Sequence, residues 1–290
     1  MNTPLFLTQS DDMKTKIIFI IVILFCSVVS FAQDTTNKKE TNFKIGLFYN
    51  SNLNYYGRTD SLRSSGVFPL AEIWFNKAIY VSAAPVFVNN QAYSMKYAGS
   101  VLTLGYYKKN QTEKFLTHLY FTKPLYESNS QLVQSALKAQ ATANFSALNK
   151  YINVDFGGDV KLSDKLDYGL TAGLDHLYKK EFADRLFLFL NPTATVNAGT
   201  QQFTNRYFKK SNFLLFPGVE QQVTEEVNKF NILSYEFSMP VILIKNNFQL
   251  ILNPAYVIPQ NLITVEGRPD LSERGRSMFY ITAGAKYIFN

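Results

Sequence analysis

Few side chains in this sequence suit nucleophilic or acid–base chemistry. There are two histidines, His118 and His176, and one cysteine, Cys26. A histidine that activates a serine must share a surface with it, and two histidines that bind one metal ion must share a surface with each other. In the alternating pattern described below, the parity of His118 is inward and that of His176 is outward. His118 is therefore the one reasonable base. No nucleophile is identified beside it, so no catalytic residue is predicted.

Four aspartates in the middle of the chain are separated by even numbers of residues: Asp155, Asp159, Asp167 and Asp175. On adjacent strands such carboxylates can supply oxygen ligands to a hard cation. The more common arrangement is neutralisation, here by Lys161 and the neighbouring strands. Apart from the adjacent Gly157 and Gly158, the glycines stand singly, and none forms a phosphate-binding loop. We therefore predict no metal ion and no cofactor.

The N-terminus has the features of a secretory signal peptide. Lys14 and Lys16 precede an apolar run over residues 17–29, and Ala32 ends a Ser-Phe-Ala sequence. This order predicts export and cleavage between Ala32 and Gln33. The apolar run is shorter than the about 20 residues of a transmembrane helix, which disfavours an anchor.

Two details qualify the signal peptide, which is assigned to residues 1–32. Asp11 and Asp12 do not suit its basic region, which favours Met13 as the true start. Cys26 is a candidate for lipid attachment, but Phe25 stands where a lipoprotein signal has a small residue. The mature chain then has no cysteine, so neither disulfides nor thiol chemistry are expected.

Composition excludes several classes of protein. The chain is 47% hydrophobic and 15% aromatic, with 25 Phe, 18 Tyr and 1 Trp, yet its mean hydropathy is only −0.08. Such apolar content excludes a disordered chain. Past residue 33 no stretch of about 18 apolar residues occurs, which excludes a bundle of transmembrane helices. The net charge of +7 is scattered, so no nucleic-acid partner is predicted, whereas anionic lipid headgroups suit it.

Apolar and polar residues alternate along the mature chain. For example, Ile152, Val154 and Phe156 alternate with Asn153 and Asp155. A period of two is typical of a strand with one apolar and one polar face. It predicts twelve strands, at about residues 43–56, 67–76, 78–89, 93–107, 114–123, 131–147, 151–162, 166–178, 186–200, 228–245, 247–257 and 277–289. Most are longer than the usual 5–6 residues and long enough to cross a bilayer when tilted.

The predicted fold is all-β, an antiparallel up-and-down transmembrane β-barrel of about twelve strands. The barrel domain is assigned to residues 43–290, after a short periplasmic segment over residues 33–42. Connections alternate between short turns, such as Asn76-Lys77 and Asn246-Asn247, and longer ones. Short turns on the periplasmic side and long loops on the outer side are expected of an outer-membrane barrel.

The last predicted strand carries a second signal. It ends in Tyr287-Ile288-Phe289, followed by Asn290. Here the sequence resembles bacterial outer-membrane β-barrel proteins, whose last strand typically ends in an aromatic residue with Tyr two residues before it. Asn290 departs from that pattern. The resemblance implies that Tyr287 and Phe289 are the signal read by the barrel-assembly machinery and that the protein lies in the cell outer membrane.

Parity also predicts which side chains face the lumen, since Lys or Arg at the lipid midplane costs about 2–4 kcal/mol. The predicted lumen-facing set is Glu72, His118, Asp155, Asp159, Lys161, Asp167, Asp175, Glu236 and Lys286. The ordinary role for each is an interior salt bridge or hydrogen bond, and the alternative is selection of permeants. Tyrosines near strand ends are predicted to form interfacial girdles: Tyr49, Tyr55, Tyr106, Tyr107, Tyr178, Tyr256 and Tyr287.

Two outer connections are candidates for function. Residues 201–227 form either a hairpin extension above the membrane or a loop that folds into the mouth. Basic residues of these two loops are candidates to bind lipopolysaccharide phosphates. They are Lys209 and Lys210 in residues 201–227, and Arg268, Arg274 and Arg276 in the last outer loop.

The leading functional prediction is a narrow channel or transport protein for small polar solutes. One alternative is a non-conducting surface or assembly barrel that binds a partner through its outer loops. The other is an outer-membrane lipid-modifying enzyme. Barrel phospholipases have a serine two residues beyond the histidine, whereas Tyr120 and Tyr178 stand at those positions here. We therefore predict that the protein is not an enzyme.

Overall fold

The computed structural model describes residues 41–128, 130, 132–182, 185–204, 227–264 and 272–289. The predicted signal peptide, its cleavage site between Ala32 and Gln33, and residues 33–40 lie outside this part of the chain and stay predictions. Within the described residues, no helix is long and apolar enough to cross a membrane.

Twelve antiparallel strands form a closed barrel in the described part of the chain. In chain order they are β1 (Thr41–Asn50), β2 (Ser65–Phe75), β3 (Ile79–Asn89), β4 (Lys96–Lys109), β5 (Phe115–Tyr126), β6 (Ala139–Ala147), β7 (Asn153–Leu162), β8 (Leu166–Asp175 and Tyr178–Phe182), β9 (Leu186–Leu190 and Thr193–Gly199), β10 (Asn231–Ser238 and Val241–Lys245), β11 (Phe248–Pro259) and β12 (Met278–Phe289). Each strand pairs with its neighbours in sequence. β12 pairs back with β1, from Phe43↔Phe289 to Asn50↔Thr282. The predicted fold class and strand number are confirmed.

The alternation in sequence places apolar side chains on the outside of the barrel. In β1, the exposed fractions of Ile45, Leu47 and Tyr49 are 42%, 55% and 44%, while Lys44 and Phe48 on the other face are half-buried. The same outward exposure of large apolar side chains recurs around the barrel. An apolar surface of this extent is unfavourable in water and suits hydrocarbon.

Short turns and longer loops occupy opposite ends of the barrel. The end that holds Thr41 and Phe289, here called the inner end, has tight turns such as the one between β2 and β3, where Asn76 and Lys77 have φ of 51° and 58°. Two successive left-handed residues give the turn type that matches strand twist. The other end, here called the outer end, carries longer connections, including residues 51–64 and 127–138.

Two strands are shorter than predicted. β1 ends at Asn50 rather than near residue 56, and β6 begins at Ala139 rather than near residue 131. The missing residues fold into the outer mouth. Asn54–Tyr55 pairs with Arg58–Thr59 in a small hairpin, and Val133–Ala136 forms a single turn of 3-10 helix. Gln134 Nε2 donates to Asn54 O at 3.1 Å, so the two segments support each other.

Three prolines interrupt the ladder across adjacent strands. Pro192 lies at the break between the two segments of β9, and Pro240 lies at the break between the two segments of β10. Pro254 lies in β11, beside the break in β10. At the breaks, His176 N donates to Pro192 O and Asn191 N to Pro240 O, at 3.2 and 3.0 Å. Proline has no N–H to donate to a ladder, so a row of prolines replaces regular pairing by these single contacts.

The outward face can be tested with one charge. We expect Leu104→Lys, on the outward face of β4 and 53% exposed, to lower the free energy of unfolding from lipid vesicles by about 2–4 kcal/mol, because it places an ammonium in hydrocarbon. Thr103→Lys, one residue away on the inward face, is the matched control and should cost much less. Urea titration in vesicles measures both, and equal losses would contradict a lipid-facing exterior.

Candidate functional site

Hydrogen bonds between strands that are not neighbours identify the inward face. Three of them skip one strand: Lys286 Nζ on β12 to Glu72 Oε2 on β2 at 3.2 Å, Tyr280 Oη on β12 to Glu236 Oε1 on β10 at 3.0 Å, and Tyr80 Oη on β3 with His118 Nε2 on β5 at 2.8 Å. Neighbouring strands lie about 4.8 Å apart, so side chains two strands apart meet only on the concave side. These contacts therefore lie inside the barrel.

The structure places the predicted lumen-facing set on this same inward face. Residues opposite each other in a ladder share a face, and the register runs without a change of face from Glu72 through Ser82, Thr103 and Thr122 to Gln140 and Lys161. Asp155, Asp159, Asp167 and Asp175 follow on β7 and β8. The set is thus distributed around the lumen rather than gathered at one point.

Three of the four aspartates are held by their own donors. Asp159 pairs with the Lys161 ammonium, and both side chains are nearly inaccessible. Asp175 accepts a hydrogen bond from Asn153 Nδ2 at 2.8 Å. Asp159 is thus neutralised by a lysine, whereas the donor to Asp175 is a neutral amide.

Asp167 anchors the start of the connection between β9 and β10. Its carboxylate is fully buried and accepts hydrogen bonds from Thr200 Oγ1 at 2.6 Å, Gln202 N at 2.6 Å and Phe203 N at 2.7 Å. Phe203 is thereby fixed in the outer mouth, where it is 1% exposed. Residues 205–226, most of the connection predicted either to extend above the membrane or to fold into the mouth, lie outside the described residues.

The outer mouth is filled by a different loop, residues 51–64, here called the first-loop plug. Its centre is Arg58, whose side chain is 2% exposed. The guanidinium donates to Leu233 O at 3.2 Å, Gln201 Oε1 at 2.5 Å, Gln260 O at 3.1 Å and Glu273 Oε1 at 3.2 Å. One side chain of the plug thus ties together four distant positions of the chain at the outer end of the barrel.

Aromatic and backbone contacts complete the plug. Tyr55 meets Phe203 edge-on with ring centroids 4.9 Å apart, and Tyr56 lies 6.5 Å from the same ring. Thr59 N donates to Arg274 O at 2.8 Å, which adds the last outer loop. Such packed, hydrogen-bonded contacts exclude solvent from the outer mouth.

Electrostatics at the plug centre reflect burial. Burial raises the pKa of the Glu273 carboxyl, and the Arg58 guanidinium opposes that rise. Glu273 Oε2 also accepts from Ile263 N at 2.8 Å. A buried charge of this kind is tolerated only when it is paired and hydrogen-bonded, and removing one partner leaves the other uncompensated.

Beyond the plug, the lumen differs between its two halves. Inward-facing residues in the outer half are largely buried, as at Lys161, Ser234 and Val257. In the inner half they keep partial exposure, with Glu72 and Lys286 side chains at 12% and 17%. The barrel is therefore packed at the outer end and less filled towards the inner end.

An aromatic wall lines the inward face of β2–β5. Its residues are Trp74, Tyr80, Tyr107, His118 and Tyr120. Trp74 and Tyr80 stack at 4.6 Å, and His118 lies 5.4 Å from Tyr107 and 4.8 Å from Tyr120, all between ring centroids. A Cβ on Gly105 would lie 2.2 Å from the Tyr80 ring, so glycine is needed where this ring crosses β4.

The two histidines have structural partners. His118 Nε2 is bonded to the Tyr80 hydroxyl, and His176 Nδ1 lies 2.5 Å from Tyr151 O. Among the described contacts of His118 there is no serine. The geometry of the described residues thus provides no serine–histidine pair at His118.

Two tyrosines predicted to form interfacial girdles lie elsewhere. Tyr55 is in the plug, because β1 has already ended at Asn50. Tyr107 faces the lumen, since it stands opposite His118 in the ladder. Those two girdle predictions are wrong. Tyr49, Tyr178, Tyr256 and Tyr287 are 41–46% exposed on the outward face, and Tyr106 shares that face.

Sequence reasoning missed the plug and the aromatic wall as units. The inward parity of Trp74, Tyr80 and Tyr120 is readable from the sequence and could have revealed the wall. No local signal marks Arg58, because its partners lie far away along the chain.

No protein-family model and no curated protein matches the chain. Solved structures similar to it include the KdgM porin, with 12% identity, 85% of this chain and 99% of that chain covered, and a TM-score of 0.47. An outer membrane channel from Pseudomonas putida F1 has 10% identity, coverages of 88% and 99%, and a TM-score of 0.44. LpxR from Salmonella typhimurium has 12% identity, coverages of 85% and 100%, and a TM-score of 0.41. Likenesses this low leave the function to be argued from the residues of the chain itself.

The Asp167 anchor generates a stability prediction. Asp167→Ala removes one carboxylate that serves three donors, so we expect a loss of about 1.5–3 kcal/mol in the free energy of unfolding. Asp164→Ala is the control, because its salt bridge with Lys138 is about half exposed and such pairs contribute about 0–1 kcal/mol. Equilibrium unfolding in vesicles measures both, and a loss at Asp167 no larger than at Asp164 would refute the anchor.

Proposed function

We propose that this chain is an outer-membrane β-barrel whose lumen is a narrow channel for small polar solutes, closed at its outer mouth by the first-loop plug. The observation that carries the proposal is a polar lumen that is packed shut at its outer end and partly open at its inner end. The charged lumen residues are proposed to select the solute.

Three features support the outer membrane as the location. The barrel exterior is apolar around the closed sheet, as a bilayer requires. A signal peptide is predicted at residues 1–32, which provides export. The last strand carries the aromatic pair Tyr287 and Phe289, the assembly signal implied by the resemblance to outer-membrane barrels.

The lining of the lumen supports a path for polar solutes. Inward positions of β6–β8, and of the outer segments of β9 and β10, carry mainly hydroxyls, amides and carboxylates, such as Thr142, Asn144, Thr171 and Thr195. These groups have hydrogen-bonding capacity that suits hydrated solutes, and a twelve-stranded barrel is intermediate between a filled barrel of 8 strands and a porin of 16.

The plug supports a gate because the hydrogen bonds of Arg58, its central residue, are separate from the strand-to-strand pairing that closes the barrel. Arg58 bonds to loop and strand-end groups, and the strands remain paired to each other without it. Releasing the Arg58 contacts would therefore open the mouth while the barrel stays closed as a sheet. The same plug favours a second candidate, a non-conducting barrel that binds a partner through its outer loops.

Conductance distinguishes the two candidates. In planar bilayers we expect the purified mature chain to show low, intermittent conductance and the double variant Arg58→Ala/Glu273→Gln to conduct at least several-fold more, because the tether is removed without leaving a buried unpaired carboxylate. Arg63→Ala, an exposed arginine of the same loop, is the control and should behave as the unmodified chain.

Heat-modifiable migration on a detergent gel verifies that each variant is folded. Absence of conductance in both the unmodified chain and the double variant, with folded barrels, would overturn the channel proposal and favour the non-conducting candidate. Solute flux into liposomes with sugars and amino acids of increasing size then measures the width of the lumen.

A further inference from the structure

The inner end of the lumen is lined by apolar side chains on two of its walls, and here we call this region the inner vestibule. The aromatic wall of β2–β5 is one of them. Trp74 lies one residue before the end of β2, and Tyr107 lies two before the end of β4, so the wall reaches the inner rim. Water and small ions do not require such a surface.

The second apolar wall is formed by β9–β11. Its inward residues are Phe187, Phe189, Ile242, Ile244 and Ile251. The ladder joins Phe189 to Ile242 and Ile242 to Ile251, and Ile251 stands opposite Gly284, whose missing side chain makes room for Phe48 inside the barrel. This second wall therefore faces the lumen and not the lipid.

Ring faces of the aromatic wall remain available to a ligand. Tyr107 is 36% exposed although it faces inward, and His118 and Tyr120 are half-buried. Trp74 is already covered by Tyr80 on one side, with the Lys44 ammonium 4.1 Å from its ring centroid. Tyr107 stands edge-on to Trp74 at 6.2 Å, so a molecule on Tyr107 lies beside the indole.

Next to the aromatic wall, positively charged side chains outnumber negatively charged ones. Lys44 and Lys286 are the two cations, and Glu72 is the one anion of this group. Lys44 stands opposite Glu72 in the ladder, on the strand between those of Glu72 and Lys286. Lys286 Nζ is bonded to both oxygens of Glu72, at 3.3 and 3.2 Å. One positive charge among these three residues thus has no counterpart of its own, and it lies beside the rings.

We propose that the inner vestibule binds a small organic carboxylate that carries a six-membered ring. The ring lies against Tyr107, His118 and Tyr120, and the carboxylate pairs with Lys44. Apolar walls with a few placed charges are the usual form of a small-molecule site, and tyrosine rings provide large, rigid contact surfaces. Both an aromatic acid and a sugar acid have this chemistry.

The opposite charge is the main competitor for this site. Asp155 and Asp175 face the lumen on β7 and β8, where they would attract a cation, and Lys179 and Glu181 lie on the inward face of the inner segment of β8. Lys179 Nζ lies 4.9 Å from the centroid of Phe187. A ring-bearing ammonium compound is therefore the comparison that decides the sign of the ligand.

Trp74 provides a direct readout because it is the single tryptophan of the chain. The folded mature chain in detergent is titrated with benzoate, glucuronate, benzyl alcohol, benzylamine and acetate, and tryptophan fluorescence is recorded. We expect saturable changes with benzoate or glucuronate, at least tenfold weaker binding of benzyl alcohol and acetate, and the weakest binding of benzylamine. Benzoate and glucuronate distinguish an aromatic acid from a sugar acid.

Variants locate the site. Tyr107→Ala and Lys44→Gln should each weaken binding of the responding acid at least tenfold. Thr103→Ala, at an inward position of β4 outside the aromatic wall and nearer the outer end, should leave binding unchanged. Isothermal titration calorimetry provides the same constants without fluorescence. The proposal would be overturned if neither acid gave a response, or if benzylamine bound more tightly than both acids. It would also be overturned if the three variants bound the responding acid with equal affinity. Binding is measured without ion flow, so failure here and failure of the channel proposal are distinguishable.

Discussion

The structure depends on the closure of β1 against β12. In hydrocarbon each unpaired backbone N–H or C=O costs several kcal/mol, so a sheet there must have no free edge. Pairing from Phe43↔Phe289 to Asn50↔Thr282 removes both edges at once. The alternating sequence follows from this closure, because each strand then has one face in lipid and one in the lumen. Aromatic residues and polar residues can both be abundant in one chain for that reason.

Closure also sets the conditions for charge inside the barrel. The concave face brings together side chains from strands that do not touch, as with Lys286 and Glu72, and burial demands a partner for each of them. Towards the outer end this demand is met by full packing, with Arg58 at the centre of the plug. Towards the inner end it is met by the Lys286–Glu72 ion pair near the aromatic wall, where both side chains keep partial exposure. The two ends of one lumen thus differ in what they can admit.

Much of the fold follows from the sequence, since twelve alternating segments fix the strand number, the faces and the direction of the turns. The errors have local causes. Leu53 and Tyr55 continue the alternation of β1 after its ladder has ended, and Tyr106 and Tyr107 are adjacent, so only one of them can face lipid. Parity places the lumen residues, but the acceptors that join Arg58 to other segments are 143 to 215 residues away along the chain. Contacts of that separation leave no periodic trace in a sequence.

The same separation determines when the outer mouth can shut. Arg58 belongs to the first loop, yet its acceptors come from the ends of β9, β10 and β11 and from the connection that leads into β12. Contacts between distant parts of a chain form late, because the intervening loop must first be ordered. The guanidinium therefore acquires its full set of acceptors only after nearly the whole barrel has folded. During assembly, the incomplete barrel therefore lacks the Arg58 contacts at its outer end. That end closes only when the last strands have been added.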